Sequence, residues 1–234
     1  IQARSSSQRL PRKVHMDLAG APVLARVIER VQASDACDHV VVATSTSDDD
    51  HDVVTLCNTM DISCFRGNLD DVLDRYQGAA THYNADAIVR ITADCPLIDP
   101  GVIRKIVEAF KSGTYDYASN VIERSYPDGL DTEVIARGTL ERLCEEAQDT
   151  SDREHVTTYL LRHIDRFKTI NVRQAKNLSA FRWTLDTPED LAFMQAVYAH
   201  FGDRLCTMDE LLLYLQNHPA VSMLNAKENV LVVV

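Results

Sequence analysis

Nowhere does this chain of 234 residues carry the run of ~20 apolar residues that a membrane span requires. Its six cysteines, at 37, 57, 64, 95, 144 and 206, include no C-x-x-C pair and no zinc-ligand spacing. Reduced thiols and a cytoplasmic setting are therefore expected. Cations are outnumbered, 24 Lys and Arg against 35 Asp and Glu, and the net charge of −11 excludes a surface built to wrap nucleic acid. A P-loop is missing too, since no G-x-x-x-x-G-K-[ST] occurs. There is no internal repeat, low-complexity tract or flexible linker, so residues 1–234 read as one domain.

Against this acidic background the first thirteen residues are exceptional. Ile1-Gln-Ala-Arg-Ser-Ser-Ser-Gln-Arg-Leu-Pro-Arg-Lys13 holds three consecutive serines and four cations, Arg4, Arg9, Arg12 and Lys13. Small side chains with backbone N–H groups let an anion approach closely, and the cations neutralise it. Such a loop needs a strand in front to aim it. The last residues, Asn229-Val-Leu-Val-Val-Val234, read as a buried strand. Joined tail to head, they would run straight into the loop. The expectation is a circularly permuted chain in which 229–234 supply the first strand, beside the strand around Val40–Val42. The alternative is an ordinary C-terminal edge strand.

Between these ends strand and helix alternate. Helical spacing covers Pro22–Ala33, a stretch to about Met60, Asp70–Tyr83, Pro100–Ser112, Gly138–Gln148, Thr187–His200 and Met208–Gln216. Ser151-Asp-Arg-Glu154 has the form of a capping box opening a helix to about His163. Strands are expected at His39–Ala43, Ile62–Phe65, Ala87–Thr92, Tyr115–Ser119, Thr132–Ala136, Phe167–Val172 and Phe181–Leu185. That alternation predicts a mainly parallel sheet covered on both faces.

Ligands of open parallel sheets bind beyond the carboxyl ends of the strands. Asp94 follows strand 87–92 in a Pro-containing turn, and Asp186 follows strand 181–185 just before Thr187-Pro188 opens a helix. Either carboxylate could serve only as a cap or turn residue; Thr187 is better placed than Asp186 to cap. Two strand-end carboxylates and a cationic serine loop together suggest phosphate bound with Mg²⁺. In the loop Tyr126–Glu133, the residues Asp128, Asp131 and Glu133 are candidate acceptors for hydroxyl groups, unless this is a solvated acidic turn. Glu154 is a candidate capping partner, His155 and His163 lack a third ligand for metal, and Arg90 in an apolar strand must find an anion.

The segment Arg4 to Lys13 resembles the R-x-x-S-x-R-L-P-x-K signature of the CMP-sugar synthetases. The group includes the CMP-Kdo and CMP-sialic acid synthetases, and the spore coat polysaccharide biosynthesis protein F type of cytidylyltransferase resembles this chain most. Arg66–Tyr76, Arg90–Pro100, Tyr126–Glu133, Arg153–Thr157 and Trp183–Leu191 follow in the family's order. The resemblance implies a Rossmann-like three-layer α/β/α sandwich of the nucleotide-diphospho-sugar transferase type, with a mainly parallel mixed sheet. It implies an Mg²⁺-dependent transfer of CMP from CTP to a sugar or sugar acid, with release of pyrophosphate, for bacterial surface polysaccharide synthesis. The CTP-binding set is then Arg4, Ser5, Ser6, Ser7, Arg9, Lys13, Arg66 and Asp94, with the triphosphate on Arg4, Ser7, Arg9 and Lys13. Metal would sit on Asp94 and Asp186, and Arg4, Lys13, Asp94 and Asp186 would be catalytic. The sugar side would comprise Tyr126, Asp128, Asp131, Glu133, Arg153 and His155. A homodimer using the half after residue 120 is expected, with no nucleic-acid or membrane partner. The alternatives are a glycosyltransferase of the same fold class, although its D-x-D motif is missing at Asp94-Cys-Pro96, and an inactive nucleotide-binding module.

Overall fold

Strand pairing defines the architecture. The computed structural model describes residues 1–7 and 9–226. In chain order its elements are β1 (Asp17–Leu18), β2 (Ala21–Pro22), α1 (Val23–Ala33), β3 (Val41–Ser45), α2 (His51–Thr59), β4 (Ser63–Gly67), α3 (Val72–His82), β5 (Ala87–Arg90) and α4 (Pro100–Lys111). Then follow β6 (Tyr117–Ser119), β7 (Glu133–Ala136), α5 (Arg137–Glu146), α6 (Thr150–His155), α7 (Thr158–Arg162), β8 (Thr169–Asn171), α8 (Pro188–Phe201), α9 (Met208–Asn217) and α10 (Pro219–Ser222).

β3 and β4 pair in parallel, and a second group runs β5-β7-β6-β8. Residues 1–3 join the two. Ala43 donates to the Ile1 carbonyl at 2.8 Å and Gln2 donates to the Ile91 carbonyl at 2.8 Å, so Gln2 bridges parallel to both Ala43 and Thr92. The layer therefore reads β4-β3-(1–3)-β5-β7-β6-β8. Within it β7 is antiparallel to β5 and β6, while β6 and β8 are parallel. Ile1 and Ala3 are buried as central-strand residues should be. The expected strand at 229–234 lies outside the described residues.

Two apolar clusters cover the two faces. One gathers Val27 and Ile28 of α1, Val53 of α2, Ile103 and Ile106 of α4, and Phe193 and Met194 of α8. The other gathers Leu73 and Tyr76 of α3, Leu140 and Leu143 of α5, and Leu160 of α7. Helices on both faces of one sheet make the expected three layers.

Three local expectations are corrected. The helix from Ser151 to His163 is two short helices, broken at Val156 with φ 62°. The turn lets both Val156 and Leu160 reach the second core. Its N-cap is Asp149, and the Ser151–Glu154 capping box does not form; Glu154 pairs with Arg4 instead. Residues 181–185 are not a strand: a single bridge links Asp128 and Arg182, because this segment pairs with a loop on one side and with Asp94 on the other. A small hairpin that no expectation covered joins β1 and β2 through Ala19 and Gly20, both at positive φ. The Thr187 capping box is present, with Asp190 as its reciprocal partner.

Candidate active site

The serine loop leaves the sheet's central segment at Ala3 and is clamped at once. Ser5 is buried and donates its N–H to Asp50 Oδ1 at 2.6 Å, while Ser45, ending β3, donates its N–H and hydroxyl to Asp50 Oδ2. Burial pushes the Asp50 carboxyl up, but the Ser45 hydroxyl and the two N–H donors outweigh it and hold it below the ordinary carboxylate value. The Ser5 carbonyl accepts from Ser7 and Arg12, and Ser5 Oγ lies 2.9 Å from His15 Nε2. Ser7 Oγ accepts from the Leu10 N–H, and Ser6 is exposed. Arg12, at φ 58°, opens a 3₁₀ turn over Lys13–His15 and pairs outward with Asp52. That turn carries Lys13 inward.

Lys13 Nζ donates to Asp94 Oδ2 and to Asp186 Oδ1, each at 2.8 Å. The three side chains are 12%, 28% and 15% exposed, so the contact is half-shielded from water yet reachable. Burial disfavours the ammonium, but Asp94 and Asp186 outweigh it and hold the Lys13 pKa above its ordinary value. For Asp94 burial likewise opposes the charge, and Lys13 overcomes it, leaving the carboxyl below its ordinary value. Leu185 donates its N–H to the Asp94 carbonyl at 2.8 Å, which brings Asp186 alongside.

Asp186 is held by two more cations. Arg9, itself 64% exposed, reaches Asp186 Oδ1 at 2.9 Å, and Arg182 reaches Oδ2 at 2.8 Å. Arg182 also pairs with the buried Asp190, which accepts from the N–H groups of Asp186 and Thr187 at 2.9 Å. Arg182, Asp190 and Asp50 escaped the sequence reading. Asp190 could have been found through its place in the capping box; nothing in the sequence marks Arg182 or Asp50.

The remaining candidates are divided. Arg4 pairs with Glu154 at 3.3 Å in an exposed bridge. Arg66 donates to the carbonyls of Ser45 and Ser47 at 2.9 Å, so it holds the turn after β3. Tyr126 is buried, and Asp128 packs beside the 181–183 segment, its carbonyl accepting from Trp183 at 2.6 Å. Gly129 makes that approach feasible: at φ 102° a Cβ would lie 2.4 Å from the Trp183 carbonyl oxygen. Asp131 is held by both Arg124 nitrogens at 2.8 and 2.7 Å. Glu133 spends its carboxylate on Arg90 at 2.5 Å and on the Tyr117 hydroxyl at 2.7 Å inside the sheet. Arg153 is committed to Asp71 and the carbonyls of Cys144 and Ala147, and His155 is exposed at the end of α6.

Asp94 and Asp186 present carboxylate oxygens to one point, now met by an ammonium. That hard-oxygen pair suits Mg²⁺, which takes one or two carboxylates and completes its shell with water and substrate phosphate. Among the described residues no group of three or more His, Cys, Asp or Glu converges, and Asp94 and Asp186 are the residues that could hold such an ion.

Comparison with known proteins places this arrangement. Residues 1–218 match the family model for cytidylyltransferase, and the chain belongs to that family. It is 34% identical over 230 residues to protein MJ1063 of Methanocaldococcus jannaschii, covering 97% of this chain and 93% of that one. It is 30% identical over 229 residues to the spore coat polysaccharide biosynthesis protein SpsF of Bacillus subtilis, covering 94% and 93%. The solved structure of a cytidylyltransferase from Leptospira borgpetersenii serovar Hardjo-bovis superposes with a TM-score of 0.93 at 28% identity, covering 98% of this chain and 97% of that one. The sheet and its helices are thus the Rossmann-like nucleotidyltransferase fold.

Proposed function

We propose that this cytidylyltransferase moves CMP from CTP to a sugar or sugar acid and releases pyrophosphate. The observation that carries the reading is Lys13 held between Asp94 and Asp186 at the carboxyl end of the sheet's central strands. Attack of a sugar hydroxyl on the α-phosphate builds negative charge on the non-bridging oxygens and on the departing pyrophosphate. Arg9 and Lys13 already meet at Asp186 Oδ1 before substrate arrives, so their charge costs little reorganisation when it is needed, and Arg4 enters the same loop from its bridge to Glu154. Arg9 and Lys13 now face carboxylates, and a triphosphate offers them a denser acceptor. A bound Mg²⁺ on Asp94 and Asp186 would supply a Lewis acid for phosphate oxygens and polarise the attacking hydroxyl. Asp128, close to the Arg182 segment, is the acidic residue of the Tyr126–Glu133 loop best placed to orient the sugar.

The likeness to a spore coat polysaccharide protein supports an acceptor destined for surface polysaccharide. No helix among the described residues is long and apolar enough to cross a membrane. The test is pyrophosphate release from CTP with Mg²⁺ across a panel of neutral sugars and sugar acids. Release that depends on one acceptor is expected. Release equal with and without every acceptor would refute the transfer.

A further inference from the structure

The loop that carries Asp94 is gripped from the C-terminal helices. Tyr198 of α8 is buried, and its hydroxyl donates to the carbonyl of Pro96, in the Asp94 turn, at 2.7 Å. Asp99 accepts at Oδ1 from the N–H groups of Gly101 and Val102, which caps α4. Its Oδ2 accepts from the N–H of Met208, which opens α9, at 2.6 Å. Arg30 of α1 spans the same gap, donating to the carbonyls of Ile98 and Cys206 at 3.3 and 3.0 Å.

The segment that carries Asp186 is gripped from the same helices. Asp190 of α8 accepts from the N–H groups of Asp186 and Thr187 at 2.9 Å. Asn225, beyond α10, donates its Nδ2 to the carbonyl of Arg182 at 2.8 Å. It also lines a pocket with Thr187 and Asp190, so this part of the chain lies against the helix end that Asp186 precedes. The two grips belong to one body. α10 packs on α8 and α9. His200 of α8 stacks on Tyr214 of α9 with ring centres 4.2 Å apart, and Tyr214 meets His218, just before α10, at 4.3 Å.

Asp94 and Asp186 carry like charges and now share Lys13. An ammonium that turns to a phosphate leaves those two charges facing each other. Mg²⁺ in turn accepts only a narrow coordination geometry. The direct link between the two backbones, from the Leu185 N–H to the Asp94 carbonyl, is a single hydrogen bond and a weak tie against that repulsion. A buried tyrosine hydroxyl needs an acceptor somewhere; here it takes the carbonyl of the turn that aims Asp94. From these ties we propose that α8–α10 brace the two carboxylates at the spacing of one divalent cation, with the Tyr198 hydroxyl and the Asn225 amide as positioning residues. The inference rests on the cytidylyl reading above, with Asp94 and Asp186 as the cation's ligands.

The probe is Mn²⁺ alone, its binding to the full chain followed by electron paramagnetic resonance. The wild-type chain should bind Mn²⁺ and Asp94→Asn should not, which locates the ion at the pair. Tyr198→Phe keeps the ring, and Asn225 is only half-buried, so neither Tyr198→Phe nor Asn225→Ala opens the core. Each should weaken Mn²⁺ roughly tenfold, the low end of what outer supports of metal ligands cost. The double variant should lose little more than either single one, because a brace cut at one end no longer holds the spacing. Independent supports would instead multiply their losses. Losses that multiply overturn the proposal. So does a lowered Tm with unchanged Mn²⁺ affinity, which would make both contacts purely structural and leave the cytidylyl reading standing. A wild-type chain that binds no Mn²⁺ would defeat the assignment of Asp94 and Asp186 as cation ligands, and the brace with it.

Discussion

Leu185 donates its backbone N–H to the carbonyl of Asp94 at 2.8 Å, and this bond seats two acidic residues from distant parts of the sequence around one lysine. The 181–185 segment is free to make it because it is not a strand. Its other partners are loop residues, Asp128 above all. The irregular backbone is what brings Asp186 to the carboxyl end of the central strands, beside Asp94.

Replacing Lys13 by Ala removes a charge-assisted contact worth about 1.5–3 kcal/mol. On the proposal that the ammonium meets the β- and γ-phosphates, CTP affinity is expected to fall roughly tenfold to a hundredfold, and CMP affinity much less. Calorimetric titration of both nucleotides checks it; equal weakening would show that Lys13 sees only the α-phosphate.

Arg182→Met frees Asp186 from one of its cations and strips the buried Asp190 of its partner. Losing such an outer support costs about 10–100-fold in activity. The loss should appear in kcat more than in the KM for CTP, with partial rescue by Arg182→Lys. Unchanged kcat would show that Asp186 needs no such support.

Glu133→Gln tests whether this residue belongs to the sugar side or to the sheet. It faces Arg90 and Tyr117 in the interior, so neutralising it leaves a buried guanidinium under-compensated, at a cost of about 3–5 kcal/mol. Urea denaturation should show that loss. A stable protein with a raised KM for the acceptor would return Glu133 to the sugar side.

The Lys13–Asp94 pair also sets a pH dependence. Asp94 is held below its ordinary 3.8, so its stabilisation is present above that pH and lost as pH falls through the lower folded value. Lys13 is held above its ordinary 10.5, so its share is present below that pH and lost as pH rises through the higher folded value. The Tm difference between the wild-type chain and Lys13→Ala should be flat from about pH 5 to 9 and shrink below 3.8. A difference that changes steadily across neutral pH would point to another group.

Much of this was legible in the sequence. Amphipathic spacing gave α1, α3 and α4 nearly residue by residue, since helices that cover a sheet must show one apolar face. Loop chemistry pointed to Lys13, Asp94 and Asp186, because serine, cation and strand-end carboxylate leave few other readings. What stayed hidden depends on long-range contacts. Arg66 and Arg153 look like ligand-binding cations by sequence, yet both are spent on backbone carbonyls, Arg153 on Asp71 as well. Nothing in the sequence marks Arg75, which packing against β4 buries completely. The break at Val156 is likewise a tertiary effect: helical propensity gives way where two apolar residues must face one core.

If Asp94 and Asp186 form one site for cytidylyl transfer, neutralising either carboxylate stops the reaction. This outcome is tested most directly by following CTP and the acceptor by ³¹P NMR with Mg²⁺, for the wild-type chain, Asp94→Asn and Asp186→Asn. The wild-type chain should produce a CMP–sugar phosphodiester and pyrophosphate in equal amounts. Each variant should produce neither, while melting within a few degrees of the wild-type chain, since both carboxylates lie at the rim of the core. Phosphodiester formed at a near-normal rate by either variant would contradict the account.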